Sequence, residues 1–433
     1  MEQFLQVLFF LSFVSVFIYF LYTTFLAMLP SHASKQRSLS LPTEEFHYVF
    51  CIPCLNEERV IVNTVRSILA VPYPNVTVIV VDDDSEDETV KRVRSLKDSR
   101  VRVIERKLPN ARLGKGESLN YAYNIISKAV RRLKMDPSRV IIGVIDGDGR
   151  PSLNLLEETS NMFADPQVGA AQARIRMTNR KQLLPFLQDM EFYTMVSSIQ
   201  NSREYVQSVG LGGNGQFSRL SAMQEFGDEP WTKCLLEDFD FGLRLTLNGW
   251  KIRHLEKGIV YQQGLTSVKR FIRQRSRWVQ GNMQSLSYTK TILNASIPKG
   301  AKVDLLYFLS QPWINLLGSI ITAISWIFIG LYLWQTGFTL FLEQTSLLSN
   351  FVSIMIWLNL IFGPALMWSI IHYYSINKEE SFIKCLGAGI FMPVYNILVI
   401  PSIWMAFIRH LRGTNSWIKT ERIEEVPIES ESL

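Results

Sequence analysis

The sequence predicts an α/β fold, a mostly parallel central sheet wound with helices and flanked by transmembrane and interfacial helices. Three observations predict it. Short β-branched runs alternate with helical stretches between residues 48 and 148. Those runs give way, at their C-terminal ends, to polar and acidic residues. Uncharged apolar stretches long enough to span a bilayer occupy both ends of the chain.

The chain has 433 residues, 47% of them hydrophobic, and the apolar ones are clumped. Residues 3–29 carry no charge, so 1–30 reads as an N-terminal transmembrane helix. A cleaved signal peptide fits less well, because the run is long and begins with Glu2 instead of a positive region. Lys35 and Arg37 follow it and place the next segment on the cytoplasmic side. The expected organisation is then a cytosolic domain at 42–300, a C-terminal transmembrane region at 301–410 and a polar tail at 411–433. That makes the protein a multi-pass resident of the cell membrane with the 42–300 domain cytoplasmic. A net charge of +6 suits basic residues facing anionic lipid heads. No nucleic-acid motif accompanies it, so nucleic acid is not an expected partner.

Taken in order, Tyr48–Ile52 is a short apolar strand ended by Pro53, and Asn56 is placed to cap a helix whose first turn holds Glu57 and Glu58. A second strand, Val76–Val81, runs into Asp82, Asp83, Asp84 and Ser85. Val101–Glu105 is a third. The basic turn Ala111–Gly116 then opens a helix containing Asn120. The fourth strand begins at Val140 and ends in Asp146 and Asp148, with Gly147 and Gly149 between and after them. In open α/β sheets ligands bind outside the carboxyl ends of strands, so Glu57, Asp83 and the Asp146/Asp148 pair should share one edge. Lys115 on its loop would neutralise phosphate.

Two hard oxygen ligands in a glycine-bearing turn suit Mg²⁺ or Mn²⁺ holding a substrate diphosphate. An EF-hand loop fails at Arg150 and Pro151, where a ligand and the sharp-turn glycine belong. An ordinary acidic strand-to-loop turn is the plain alternative. Walker-A and G-x-G-x-x-G loops are absent from the sequence, which argues against an ATPase or a dehydrogenase. Only four cysteines occur, so no disulfide framework is implied. Cys51 and Cys54 have redox-motif spacing, but Cys51 also fits an inward-facing strand position.

The order I-P-C-L-N-E-E, V-D-D-D-S, G-K-G-x-x-L-N and D-G-D resembles the family-2 glycosyltransferases of GT-A fold. Gly212–Arg219 (GGNGQFSR) resembles the family's acceptor loop, and Leu236-Glu237-Asp238 its T-E-D motif with Leu in place of Thr. Gln274-Arg275-Ser276-Arg277-Trp278 matches Q-x-x-R-W, as in cellulose, hyaluronan and poly-N-acetylglucosamine synthases. Six motifs in this order span about residues 50–280. The resemblance implies an inverting transfer of a hexosyl group from a nucleotide-diphospho-sugar, UDP-linked by expectation.

In that scheme Asp238 is the catalytic base that takes the acceptor hydroxyl's proton. Pro53, Glu57, Asp83, Lys115, Asp146, Asp148, Gln274 and Arg277 bind the donor, Asp146 and Asp148 through the divalent ion. Gly213, Asn214, Glu237 and Trp278 face the acceptor, Trp278 by stacking on a sugar ring. Arg277 suits bidentate phosphate binding. The plain readings are a dipole-complementing acidic pair at Glu237-Asp238 and an interfacial membrane helix at 269–278. Residues 182–209 read either as a second interfacial helix or as a core helix.

Toward the C-terminus come three apolar stretches, roughly 303–334, which contains Pro312, 348–376, and 385–408, which carries Pro393 and Pro401 that would kink or divide it. Four simple crossings put the C-terminus outside, whereas Arg409, Arg412, Lys419 and Arg422 argue for inside, so 385–408 is the segment suspected of not crossing once. The tail Glu424–Leu433 reads as acidic and disordered. The leading functional expectation is a processive synthase of a β-linked extracellular polysaccharide. A non-processive enzyme acting on a membrane lipid is the alternative, and an inactive membrane scaffold a third. Expected partners are the nucleotide-sugar donor, a growing glycan or lipid acceptor and membrane lipids, with room for an accessory membrane subunit.

Overall fold

A computed structural model describes residues 2–32, 46–336 and 347–414. Lys35, Arg37, Lys419, Arg422 and the tail Glu424–Leu433 lie outside the described residues. The strands are β1 (His47–Cys54), β2 (Val76–Asp82), β3 (Val101–Glu105), β4 (Val140–Val144), β5 (Arg150–Pro151), β6 (Val168–Met177), β7 (Gln216–Arg219) and β8 (Lys251–Gln262). In the catalytic segment the helices are α2 (Ile61–Leu69), α3 (Thr89–Arg94), α4 (Lys115–Arg132), α5 (Leu155–Phe163), α6 (Leu183–Asp189), α7 (Ser197–Val206), α8 (Leu220–Met223), α9 (Glu237–Leu247), α10 (Val268–Ser285) and α11 (Thr289–Asn294). Before them comes α1 (Glu2–Met28); after them come α12 (Lys299–Thr336), α13 (Leu347–Ser375), α14 (Phe382–Ile397) and α15 (Ile400–Leu411).

One sheet takes the order β3-β2-β1-β4-β7-β6-β8-β5. Its first half is parallel: β2 lies between β3 and β1, and β1 pairs with β4. Chain order reverses between β1 and β4, which makes the crevice beyond their carboxyl ends the switch point where ligands bind. β7 is antiparallel to both β4 and β6, so the sheet is mixed, and β8 returns parallel to β6. The β-branched runs are apolar on both sides because helices cover both faces. Tyr48, Phe50, Val78 and Val80 pack with Ile61 and Val65 of α2 and Leu155 of α5 on one face. Val49, Cys51, Ile79 and Val144 pack with Leu119 and Tyr123 of α4 and Phe241 of α9 on the other.

Two local expectations are corrected. β1 does not stop before Pro53; it continues to Cys54, with Pro53 opposite Val81 of β2. The Cys51 carbonyl accepts from Ile145 N–H, on the β4 side, and the Cys54 carbonyl from Asp83 N–H, on the β2 side. Residue 53 therefore shares Cys51's side, where β4 has already ended at Val144, and proline's missing N–H costs no ladder bond. Asn56 does not cap a helix. It takes a positive φ of 54°, and its Oδ1 accepts from Glu86 N–H at 2.8 Å, while α2 begins only at Ile61.

Cys51 and Cys54 are buried, and they belong to the cores on opposite faces of the sheet. Burial pushes the Cys51 thiol up to about 12, which removes the thiolate a redox motif requires.

The 182–209 stretch is helical with a π-helical turn at Met190–Val196 between α6 and α7. Phe186, Leu187 and Met190 pack with Phe271 of α10, Ala365 of α13 and Cys385 of α14. Among the described residues, 299–324 and 382–411 are long and apolar enough to cross a membrane. The second contains the break between α14 and α15 at Leu398 and Val399, with Pro401 in the first turn of α15. The break falls just before Pro401, whereas Pro393 stays inside α14.

Phe217 of β7 is fully buried, edge-on to Phe50 at 5.8 Å and to Tyr48 at 6.3 Å. Its ring fills the space over Gly143, where a Cβ would come within 2.7 Å of it. Replacing Phe217 by Ala empties that site and should lower unfolding stability by about 3–5 kcal/mol. Chemical denaturation of the full-length protein measures this, and a change below about 1 kcal/mol would show that the sheet collapses onto the gap.

Candidate active site

Three loops meet at the carboxyl ends of β1, β2 and β4. The turn after β4 carries Asp146, which keeps 29% of its side chain exposed, and Asp148, which is buried at 1%. Asp148 Oδ2 accepts from Gln263 N–H at 2.9 Å, just past the end of β8. Gly147 between them has no room for a side chain: a Cβ would stand 2.9 Å from Glu57 Cγ and Cδ. Thr64 of α2 donates to the Gly147 carbonyl at 2.7 Å. The buried Glu57 is thus packed under the acidic turn, with its own N–H bonded to Thr89 Oγ1 at 2.8 Å.

Asp83, at the end of β2, is held in a buried ion pair with Arg106 at 2.6 Å and accepts from Arg112 N–H at 3.0 Å. Burial still raises its carboxyl, with the Arg106 charge opposing. Pro53 stands opposite Val81 in the neighbouring strand, one residue before Asp82. Asp83 is therefore tied to Arg106, which no motif marked.

Lys115 opens α4 and reaches into the cleft, where its ammonium donates to Asp146 Oδ1 at 2.6 Å and to the Gly213 carbonyl at 2.5 Å. A Cβ on Gly213 would lie 3.0 Å from both Lys115 Nζ and Asp238 Oδ2, so the glycine permits that approach. Asp238 is in the first turn of α9 beside Glu237; both are buried, at 8% and 7% exposure. Burial and the Glu237 charge raise the Asp238 carboxyl to about 7, against Lys115, the Phe239 N–H and Arg277. Burial alone would lower Lys115, but the charges of Asp146, Glu237 and Asp238 outweigh it and raise its pKa.

The acceptor-side residues divide. Asn214 is turned inward: its Oδ1 accepts from Asp146 N–H at 3.1 Å and its Nδ2 donates to Gln262 Oε1 at 2.7 Å. Both ends of its amide are thus engaged within the protein, on the turn that carries Asp146 and on β8. Gln172 holds the same loop from below, accepting from Gly212 N–H at 2.7 Å and donating to the Asn214 carbonyl at 2.8 Å. Trp278 packs edge-on to Phe192 at 6.0 Å and lies under the Arg275 guanidinium at 4.6 Å. Arg275 is committed to Glu191 and to Tyr395 of α14, whereas Arg277 of the same helix bears on Asp238. No hydrogen bond or ion pair among the described residues joins Gln274 to this cluster. Gln172, Gln262 and Gln263 carry no sequence signal, because their partners lie on distant strands.

Asp146 and Asp148 fit a hard divalent cation in donor chemistry. Among the described residues no three His, Cys, Asp or Glu side chains group to hold a metal, so the protein would supply two carboxylates and a diphosphate the rest.

The family described as glycosyltransferase like family 2 matches residues 46–281, which include every side chain of the site named above except Tyr395. The chain is similar to the beta-monoglucosyldiacylglycerol synthase of Trichormus variabilis, 28% identical over 291 residues, covering 66% of this chain and 58% of the relative. It is also similar to the poly-beta-1,6-N-acetyl-D-glucosamine synthase of Staphylococcus aureus, 25% identical over 240 residues and covering 55% of each. The matches thus span little more than half the length of either relative. Among solved structures it resembles the mannosyltransferase PcManGT of Pyrobaculum calidifontis, in complex with GDP-Man and Mn²⁺. There the TM-score is 0.59 at 16% identity, covering 95% of this chain and 98% of that one, a likeness of fold.

Linkage gives the cluster a pH signature. Asp238 is raised, so its contribution to stability is full below its unfolded value near about 4 and is lost as pH rises through its folded value. Lys115→Met removes the offsetting cation. Its loss of thermal stability should be larger at pH 8.5 than at pH 5.5, where Asp238 takes up a proton; equal losses at both values would remove Lys115 from the balance.

Proposed function

The chain belongs to the family-2 glycosyltransferases, and from that premise we propose that it transfers a sugar, with inversion, from a nucleotide-diphospho-sugar to a hydroxyl presented at the membrane. The observation that carries the reading is the meeting of Asp238, Lys115 and Asp146 around Gly213, base beside donor site. Asp238, poised to about 7, takes the acceptor proton as the hydroxyl attacks the anomeric carbon. Lys115 and Arg277 supply positive charge toward the departing diphosphate. A divalent cation on Asp146 and Asp148 would offset charge developing on that leaving group. The Mn²⁺ beside GDP-Man in PcManGT supports this cofactor class, Mg²⁺ or Mn²⁺. Asp83 with Arg106 forms the edge for the base, for which a UDP-linked hexose is the first donor to test.

Of the two acceptors, the lipid moves ahead of the polymer. Similarity to the diacylglycerol-glycosylating enzyme covers 66% of the chain, against 55% for the polymer synthase. The base helix α9 also packs on α12, one of the two apolar stretches that suit a bilayer. A β-linked polymer is the second reading, supported by Q-x-x-R-W at 274–278. Helices α1 and α13 are proposed as further spans, making the protein multi-pass with the sheet domain cytoplasmic.

Purified protein with Mg²⁺ or Mn²⁺ and a panel of radiolabelled UDP- and GDP-sugars tests the proposal. Label in the organic phase supports the lipid acceptor, and label in a large glycosidase-sensitive product supports the polymer. No label from any donor with folded protein would leave the inactive scaffold. Asp238→Asn should lower kcat by about 10²–10⁴-fold while donor affinity holds. The acid limb of kcat/KM should fall near pH 7 and move lower in Glu237→Gln, because a neighbouring negative charge is removed. An unmoved limb would take Asp238 out of that role.

A further inference from the structure

Phe308 of α12 is the point at which an apolar helix meets both helices of the active site. Four residues further on stands Pro312, inside the helix and without an amide hydrogen, so the Phe308 carbonyl has lost its normal intrahelical donor. Asn282 of α10 supplies another: its Nδ2 donates to that carbonyl at 3.0 Å, from a position only 7% exposed. The ring of Phe308 stacks on Phe239 with centroids 4.6 Å apart. Phe239 follows Asp238 in the chain, and its N–H donates to Asp238 Oδ1 at 2.7 Å. The other face of the joint is set by Arg203 of α7, whose guanidinium lies 4.9 Å from the Phe308 ring centre and pairs with Asp304 of α12 at 2.9 Å.

The residues before Asp238 are held by the same helix that carries Asn282. A Cβ on Gly281 would fall 2.5 Å from Leu236 Cβ, so α10 lies flat against the peptide entering α9. Gln284 Oε1 accepts from Leu235 N–H at 3.0 Å. Asp238 is thereby gripped from both sides, by α10 through residues 235–236 and by α12 through Phe239. The Asn282–Phe308 bond ties the two grips together.

We propose that the carbonyl freed by Pro312, with Asn282 and the Phe308 ring, is a joint that sets Asp238 in register with Arg277. Pro312, Asn282 and Phe308 are positioning residues, and the inference rests on the reading of Asp238 as the base. The joint makes the placement of the base depend on the seating of α12, and hence on the bilayer that receives the helix.

Pro312→Ala is the informative variant, because it returns an N–H to the Phe308 carbonyl and so leaves the helix no less hydrogen-bonded. Full-length protein in lipid nanodiscs would be measured as wild type, Pro312→Ala, Asn282→Ala and the double variant. Sugar transfer and amide hydrogen exchange over 236–241 would be followed together. Each single variant should lower kcat by about tenfold or more with donor KM unchanged and with faster exchange confined to 236–241. The double variant should be no worse than either single one, since both break one interaction. Wild-type kcat and exchange in Pro312→Ala, or single effects that multiply in the double variant, overturn the joint. So does faster exchange throughout the chain, which marks general loosening. If wild-type protein transfers no sugar, the glycosyltransferase reading falls, and the exchange at 236–241 still decides the joint.

Discussion

Four carboxylates crowd the ends of β4 and α9, and the rest of the site is arranged around keeping them there. Asp146, Asp148, Glu237 and Asp238 occupy a region with little water, where like charges repel more strongly than at a surface. Lys115 is the cation in direct contact, shared between Asp146 and the Gly213 carbonyl, with Arg277 acting on Asp238 from α10. One lysine does not neutralise four acids. Burial and the neighbouring Glu237 charge hold the Asp238 carboxyl up, to about 7, against Lys115 and Arg277.

Where the sequence was legible, the signal was local. Asp146 and Asp148 flank a glycine that packing against Glu57 requires, and Lys115 sits at the first position of a helix opened by a glycine. The strands β2, β3 and β4 and the start of α9 fall where the periodicity put them. What was not legible depends on distant segments. Asn214 looked like an acceptor contact because it lies in a glycine-rich loop, yet Asp146 and Gln262 claim both ends of its amide. Pro53 looked like a strand end because a proline usually is one, and only the early finish of β4 makes it harmless. Arg106 became visible as a partner of Asp83 only once β3 was laid beside β2.

The membrane-facing half shows the same contrast between composition and contact. Apolar length marked α12 and the 382–411 stretch, but not what they do to the sheet domain. Arg176 forms a two-pronged pair with Glu379 between α13 and α14, at 2.7 and 3.0 Å, and Arg275 reaches Tyr395 of α14 at 3.0 Å. These bonds join the sheet domain to the apolar helices, and because Arg176 is only 6% exposed, losing Glu379 would strand its charge. The domain is therefore clamped to these helices and is not hung from a flexible tether.

That clamping bears on how an acceptor reaches Asp238. An enzyme whose base sits on a freely moving domain can meet its acceptor in solution, and the membrane then serves only to raise concentration. Here α9 packs on α12 through Phe239, Leu243, Leu305 and Leu309, so Asp238, the proposed base, keeps a fixed station relative to an apolar helix. Trp278, Phe192 and the fully buried Phe271 gather around Arg275 in the neighbouring α10, packing that helix against the apolar ones. A hydroxyl held at the boundary of lipid and water by its own lipid anchor would arrive already oriented, which removes part of the entropic cost of the transfer. A fixed base thus favours an acceptor whose position the bilayer itself determines.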